Sequence, residues 1–174
     1  MKTIVIYSSK TGFSEKYGKW IAEELSCKAV SLKEMPKNLN EFECIIFGGG
    51  IMAGKISGLD KFKKNPSIAG KKIVVFATGA TPSDATEIVQ TFKDNNLTSD
   101  EQKEIPFFYF HSGLNFEKMG FMSKALLNMM KNMLEKKADK TPEDEGMLET
   151  FRESKDFSNQ KFIEPLVTLI KELQ

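Results

Sequence analysis

Four hydroxyl side chains surround one glycine near the N-terminus, in the stretch Ser8-Ser9-Lys10-Thr11-Gly12-Phe13-Ser14. The stretch follows a short apolar run, Ile4 to Tyr7, and a pattern with helical spacing begins directly after it. The first turn of a helix carries unpaired backbone N–H groups at the positive end of the helix dipole, and these attract anions. The residues therefore predict a phosphate-binding turn between a strand and a helix. A plain helix cap, with no ligand, is the alternative interpretation.

Two further loops follow apolar runs of the same kind. Residues 48–57 are rich in glycine and follow Cys44–Phe47, while Thr78-Gly79-Ala80-Thr81-Pro82 follows Lys72–Ala77. In an open parallel sheet, ligands bind at the carboxyl ends of the strands, near the point where the strand order reverses. We therefore expect a ligand whose phosphate lies on the first loop to extend across the other two.

Apolar runs and helical patterns alternate along the chain, which is typical of a parallel sheet covered on both faces. The predicted strands are Ile4–Tyr7, Cys27–Leu32, Cys44–Phe47, Lys72–Ala77 and Pro106–Phe110. The predicted helices are Phe13–Leu25, Leu59–Lys64, Ser83–Asn95, Glu117–Lys137, one beginning at Pro142, and Ser158–Leu173. The pattern predicts an α/β three-layer sandwich with a five-stranded parallel sheet. The order 2-1-3-4-5, a common one for such sheets, would make the three loops neighbours, and we expect that order. We expect one domain over 1–174, with a helical insertion at 116–157 before the last helix.

Two of these helices carry more detailed expectations. Ser83 is predicted to cap the helix that ends at Asn95, whose inward residues would be Ala85, Ile88, Val89 and Phe92. Pro165 is expected to lie in the first turns of the last helix or to kink it.

Composition excludes several classes of function. With 174 residues and a net charge of +1, the chain lacks the strongly basic character of a nucleic-acid-binding protein. Two cysteines without a CxxC pair, and one histidine, His111, argue against a metal site. No signal peptide and no apolar run of membrane-spanning length is evident, so we expect a cytoplasmic protein.

Three other phosphate-binding patterns can be compared with the sequence. A P-loop would need a hydroxyl residue after Lys55, but Ile56 stands there. A dinucleotide fingerprint at Gly48–Ala53 would follow the wrong strand and would lack the acidic residue that binds a ribose. A phospho-acceptor receiver domain would have acidic residues where this chain has Ser8-Ser9 and Gly48. What remains is a terminal phosphate bound by neutral hydroxyl and N–H donors without a metal, which suits FMN.

The stretch Ser9–Ser14 resembles the flavodoxin phosphate-loop pattern [ST]-x-T-G-x-[ST]. Together with GGGIMAGKISGLDKFKKN, KIVVFATGA and FFYFHSGLNFEKMGF, the chain is similar to the flavodoxin domain family, in particular to the menaquinone-dependent protoporphyrinogen oxidases. The resemblance implies an FMN whose phosphate is bound by Ser9, Lys10, Thr11, Gly12, Phe13 and Ser14. It also implies an isoalloxazine ring between Gly50-Ile51-Met52-Ala53-Gly54 and Thr78-Gly79-Ala80, hydrogen-bonded by backbone amides.

Two functions are consistent with this resemblance. The first is an oxidoreductase of the protoporphyrinogen oxidase-like type that passes electrons to a quinone, and the second is a soluble electron carrier between redox proteins. Ordinary flavodoxins often sandwich the flavin between aromatic residues, but neither flavin loop here contains one, which leaves room for a substrate. Lys10 and Lys55 near the site would raise the flavin's reduction potential, which favours an oxidoreductase or a carrier of higher potential. We assign no catalytic side chain, because the flavin itself would carry the redox chemistry, and we expect a structural role for His111.

Methionine and leucine recur at helical spacing in the insertion, at Met119, Met122, Leu126, Met129 and Met133. Such a stripe most simply forms core or a homodimer contact. The alternative is an adaptable surface over 117–137 for a quinone, a flat apolar substrate such as a porphyrinogen, or the surface of a membrane. Lysines on the polar face of the same helix would tolerate anionic lipid.

Overall fold

A computed structural model describes residues 1–151 and 153–173, without the side chains of residues 122, 143 and 150. Its main sheet contains strands β1 (Thr3–Ser8), β2 (Lys28–Ser31), β3 (Cys44–Met52), β4 (Lys55–Ile56), β5 (Lys72–Gly79) and β6 (Phe107–His111). Five of these strands are parallel and lie in the order β2-β1-β3-β5-β6. This is the predicted order 2-1-3-4-5, and it places β1 and β3 at the reversal point.

The helices are α1 (Phe13–Glu24), α2 (Leu59–Lys63), α3 (Thr86–Asn96), α4 (Glu101–Glu104), α5 (Phe121–Lys136), α6 (Pro142–Thr150) and α7 (Glu164–Glu172). Successive side chains of a strand point to opposite faces of the sheet. Val5 and Ile46 pack with residues of α1 and α7 on one face. Ile4 and Ile45 pack with residues of α2 on the other face. Both faces are therefore covered, and the central strands are apolar throughout because each is buried on two sides.

The second loop differs from the prediction. Residues 48–57 were expected to be irregular, but β3 continues to Met52 and turns into β4, with Ile51 opposite Ile56 and Met52 opposite Lys55. The strand extends because Gly48, Gly49 and Gly50 pair with β5, which itself reaches Gly79. The glycine-rich sequence therefore did not indicate that this segment forms a β-hairpin.

The helix after β5 also differs. α3 begins at Thr86 after Ala85, and its N-terminus has no side-chain cap within the described residues, so Ser83 is not the cap. Ile88, predicted to point inward, is 45% exposed. The short helix α4 was not predicted.

The last helix begins later than predicted. Residues Gln160–Ile163 form a 3₁₀ turn and α7 starts at Glu164. Pro165 lies in the first turn, as expected, where its missing N–H costs no helical hydrogen bond.

The segment between β6 and α7 forms the two predicted helices, but α5 begins at Phe121 rather than at Glu117, because the chain turns before Gly120. Thr141 caps α6 through a capping box with Asp144. Two short antiparallel strands close its base, β7 (Gly113–Leu114) and β8 (Lys155–Asp156). The predicted insertion, 116–157, contains Arg152, which lies outside the described residues.

The methionine stripe is not core along its whole length. Met129 is 54% exposed and Met133 is 66% exposed, whereas Met119 and Leu126 are partly buried. The core interpretation is therefore wrong for Met129 and Met133, and the side chain of Met122 lies outside the described residues. Among the described residues, no helix is both long and apolar enough to cross a lipid bilayer.

Candidate functional site

The turn after β1 has the geometry of an anion-binding helix start. Gly12 adopts a left-handed conformation with φ of 97°, and its N–H donates to Ser9 Oγ at 3.1 Å. α1 follows at once, with Lys16 N–H donating to Gly12 O at 2.9 Å. No side chain of the described residues caps α1, so its first amides point into the turn without such a partner. Phe13 is buried, which leaves its backbone rather than its ring to the turn.

A buried hydroxyl pair joins the first and third loops. Ser14 Oγ lies 2.9 Å from Thr78 Oγ1, and each residue is only 2% exposed. Gly50 lies beside this pair, since a Cβ placed on it would be 3.7 Å from Ser14 Oγ and 3.8 Å from Thr78 Oγ1. The structure thus brings together the three loops that the sequence predicted to be neighbours. Lys10 and Thr11 lie on the first of them, exposed and partly buried respectively.

Within the second loop, a tight two-residue turn joins β3 to β4. Ala53 and Gly54 both have positive φ, 49° and 76°. This conformation suits the right-handed twist of a hairpin and costs little at glycine, but it is strained at alanine. Ile51 and Met52 precede the turn on β3, so this edge of the candidate site is a defined strand end.

Asn96 fastens the hairpin to α3. Its Oδ1 accepts the Ile56 N–H at 2.8 Å, and its Nδ2 donates to Gly54 O at 2.8 Å and to Phe92 O at 2.7 Å. The role of Asn96 was not predicted, because an asparagine near a helix end gives no signal of a contact with a distant strand. Lys55 Nζ donates to Asn95 O at 2.5 Å, so this ammonium is directed to the end of α3.

Tyr109 lies behind the third loop. Its hydroxyl donates to Thr81 O at 2.8 Å, and burial raises its pKa well above the ordinary value. A Cβ on Gly79 would come within 2.7 Å of the Tyr109 hydroxyl, so a larger residue at 79 would displace either the ring or the loop. Ser112 supports the start of the same loop, donating to Gly79 O from its N–H at 2.8 Å and from its hydroxyl at 3.1 Å.

His111 follows Phe110 at the end of β6 and supports Ala80. Burial lowers its pKa, while a hydrogen bond to the backbone of Ala80 and the charge of Asp84 act in the opposite direction. The imidazole stacks on Phe157, with 4.8 Å between the ring centres. These contacts suit a residue that positions the third loop.

The segment that holds α5 also reaches the candidate site. Ser123 Oγ on α5 lies 3.5 Å from Met52 Sδ at the end of β3. Lys118, in the turn before α5, places its ammonium 3.7 Å from where a Cβ on Gly12 would be. The alternative interpretation of the methionine stripe predicts a ligand surface over 117–137, but no pattern in the sequence predicts that Lys118 lies beside the first loop.

The donor set has the chemistry of a phosphate site. It combines neutral hydroxyls with the backbone N–H groups of a helix start, and one ammonium lies beside it. Within the described residues, no group of three or more His, Cys, Asp or Glu side chains could hold a metal ion. Burial raises the pKa of both free thiols, Cys27 and Cys44, to about 11, so neither is an activated nucleophile.

No curated protein is significantly similar in sequence to this chain. Solved structures with a similar fold include a flavodoxin from the domain Archaea, with 18% identity over 63% of this chain and 85% of that chain and a TM-score of 0.43. Oxidised Flavodoxin 2 from Bacillus cereus is 22% identical over 63% of this chain and 84% of that chain, with a TM-score of 0.42. A flavodoxin, WrbA-like protein from Agrobacterium tumefaciens is 14% identical over 99% of both chains, with a TM-score of 0.43.

The strand order β2-β1-β3-β5-β6, with helices on both faces, is that of the flavodoxin-like fold. The sequence model of the flavodoxin domain matches residues 4–141, a span that includes all three loops of the candidate site. The chain therefore belongs to the flavodoxin domain family.

Proposed function

We propose that this protein binds FMN and acts as a redox protein. The observation that carries the proposal is the turn at Gly12, which opens the N-terminus of α1 beside the Ser14–Thr78 hydroxyl pair. The phosphate would be bound by Ser9, Lys10, Thr11, Gly12, Phe13 and Ser14. The isoalloxazine ring would lie between Gly50-Ile51-Met52-Ala53-Gly54 and Thr78-Gly79-Ala80.

The shape and charge of these loops support a mononucleotide. A phosphate on α1 is stabilised by backbone N–H groups and hydroxyls without a metal. The hairpin turn at Ala53-Gly54 and the loop at Gly79 are fastened by Asn96 and Tyr109, so they offer fixed backbone groups to a flat ring. FMN, when bound, accepts electrons or a hydride from one partner and passes them to another.

Titration of the protein into FMN, followed by flavin fluorescence, tests the cofactor. We expect quenching by the wild-type protein and little or none by Thr11→Asp, because the new carboxylate would repel the phosphate at the start of α1. Thr168→Asp is the matched control, since Thr168 is exposed on α7.

Three results would contradict the cofactor assignment. A wild-type protein that leaves FMN fluorescence unchanged would overturn FMN binding altogether. Equal affinity of wild type and Thr11→Asp, or equal losses in Thr11→Asp and Thr168→Asp, would move the phosphate away from the first loop.

We further propose an oxidoreductase of the protoporphyrinogen oxidase-like type, with a flat apolar substrate and a quinone or a redox protein as electron acceptor. Neither flavin loop carries an aromatic side chain that would cover the ring. α5 approaches the hairpin at Met52 and exposes Met129, Met133 and, at 84%, Phe121. Flexible thioether side chains adapt their shape to a flat apolar partner.

Anaerobic assay of protoporphyrinogen oxidation with menaquinone tests this role. We expect substrate-dependent reduction of the quinone by the FMN-loaded protein. If no turnover occurs and the reduced protein instead exchanges electrons rapidly with a ferredoxin-type protein, the soluble carrier is the correct function.

We also propose that the exposed side of α5 meets an anionic membrane surface. On α5 itself, Lys124, Lys131 and Lys136 outnumber the single acidic residue, Glu135. Basic residues beside an exposed apolar face favour anionic headgroups. Co-sedimentation with vesicles rich in phosphatidylserine, but not with neutral vesicles, is the expected result. A concentration-dependent dimer that shows no vesicle binding would assign the same face to a second copy of the chain.

A further inference from the structure

Lys118 lies outside the three cofactor loops but next to one of them. A Cβ built on Gly12 would lie 3.7 Å from the Lys118 ammonium. Apart from Gly12 and the residues next to it in sequence, no other atom of the described residues would come within 4 Å of that Cβ. Gly12 is the left-handed residue that opens the N-terminus of α1. The ammonium therefore lies where the first loop faces solvent.

The turn that carries Lys118 is held at several points. Lys118 N–H donates to Asn115 Oδ1 at 3.1 Å, and Phe116 N–H donates to Ser154 Oγ at 2.9 Å. β7, which precedes this turn in sequence, pairs with β8, and Ser123, which follows the turn, contacts Met52. The segment from Asn115 to Ser123 thus extends from the first loop to the hairpin.

The ammonium has no competing partner among these contacts. No salt bridge formed by the described residues includes Lys118, whereas Lys16 is paired with Asp156 and Lys137 with Asp144. A phosphate on α1 would bring a charge close to −2 to a turn whose donors, apart from Lys10, are neutral. The long, exposed side chain of Lys118 can move toward such a charge at little cost.

We propose that Lys118 binds the phosphate of the cofactor and so links cofactor binding to the position of the insertion. This inference rests on the proposed FMN site. It adds a cation that comes from outside the phosphate loop, and it gives the turn before α5 a function in the loaded protein. The contact is a charge-assisted one between a point-like ammonium and a phosphate oxygen.

Riboflavin separates the phosphate contact from the ring contacts, because it lacks the phosphate. We expect Lys118→Gln to weaken FMN binding about 10-fold, the size of a partly exposed hydrogen bond to a charged group. Riboflavin affinity should stay within about twofold of the wild type, because the ring contacts are unchanged. Lys72→Gln is the control, because Lys72 is exposed at the amino end of β5, opposite the site.

Salt dependence gives a second test. The preference of the wild type for FMN over riboflavin should decrease with added sodium chloride, and Lys118→Gln should show a smaller decrease. Lys118→Arg should keep most of the preference for FMN, because it retains the charge.

Hydrogen exchange tests the link to the insertion. FMN should slow amide exchange over residues 115–123 in the wild type, while riboflavin should not, and Lys118→Gln should lose the effect. If the wild type binds FMN but Lys118→Gln binds it equally well, this inference is overturned and the FMN site stands. If the wild type binds no FMN, the proposed function and this inference both fail.

Discussion

Single residues differ widely in how much of their role the sequence reveals. Gly12 is predictable, because a glycine between a strand and a helix, flanked by hydroxyls, is needed where φ is positive. Ser14 and Thr78 lie on predicted loops, but their mutual hydrogen bond depends on how the two strands pair across the sheet. Asn96 and Lys118 could not be predicted, since their partners lie far away in the chain and neither residue belongs to a local pattern.

His111 gives a pH dependence at the residue scale. Burial lowers the pKa of His111 in the folded protein. As the pH falls below about 6.5, the histidine is therefore protonated in the unfolded chain before it is protonated in the folded one. Stability should therefore fall as the pH drops below this value and level off once the folded histidine is protonated. His111→Phe keeps the stacking on Phe157 and removes the titration.

Urea unfolding between pH 7 and pH 5 measures the effect. Over this range, the free energy of unfolding should fall further for the wild type than for His111→Phe. The difference should stay below about 1 kcal/mol, because the ring is partly exposed to solvent. A wild type that gains stability relative to the variant would show that attraction to Asp84 outweighs burial.

At the scale of elements, continuous apolar runs predicted the buried strands, but they did not show where the strands end. β3 continues through Gly50 because Gly50 pairs with Thr78 of β5, and β5 continues through Gly79 because Gly79 pairs with His111 of β6. Pairing between distant segments leaves no mark on local propensity. α3 begins at Thr86, later than predicted, because residues 83–85 form the turn that precedes the helix. The spacing of apolar residues did not indicate this turn.

Asn96 tests how firmly the hairpin of β3 and β4 is attached to α3. Asn96→Ala removes three hydrogen bonds and leaves the Ile56 N–H without its partner, so we expect a loss of about 2–3 kcal/mol in the free energy of unfolding. Amide exchange at residues 54–56 should rise by more than the global loss of stability explains.

Asn95→Ala is the matched control for the hairpin. It changes helix propensity by a similar amount. Its exposed side chain lies beside Gly54 but makes no hydrogen bond to the hairpin among the described residues, so a change within about 0.5 kcal/mol is expected. Equal losses in the two variants would show that the hydrogen bonds of Asn96 contribute no more than the helix itself.

At the scale of the whole molecule, the strand order and the place of the insertion were predictable. Alternating strands and helices predict a parallel sheet covered on both faces, and the resemblance to flavodoxins implies its order, 2-1-3-4-5. The approach of Lys118 to the first loop and of α5 to the hairpin was not predictable, because both depend on the path of the chain through β7 and β8.

The core provides a last prediction. Among the described residues, neither of the two hydrophobic clusters includes a residue between Phe110 and Phe162, and Leu127 and Phe151 are the buried apolar residues of the insertion. Gly113 pairs with Asp156 and Leu114 with Lys155, so the two ends of the insertion are already adjacent. Lys16 holds this base to α1 through Asp156 at 2.8 Å and Ser158 at 2.7 Å.

Replacing residues 115–154 by an Asn-Gly turn should therefore leave a folded protein, because this dipeptide favours the two-residue turn of an antiparallel hairpin. We expect a cooperative melt within about 10 °C of the wild type, measured by circular dichroism. FMN binding should weaken about 10-fold, as in Lys118→Gln, while riboflavin binding persists. An unfolded variant would show that the insertion supports the core. A folded variant with full FMN affinity would show that no part of the insertion, Lys118 included, binds the phosphate.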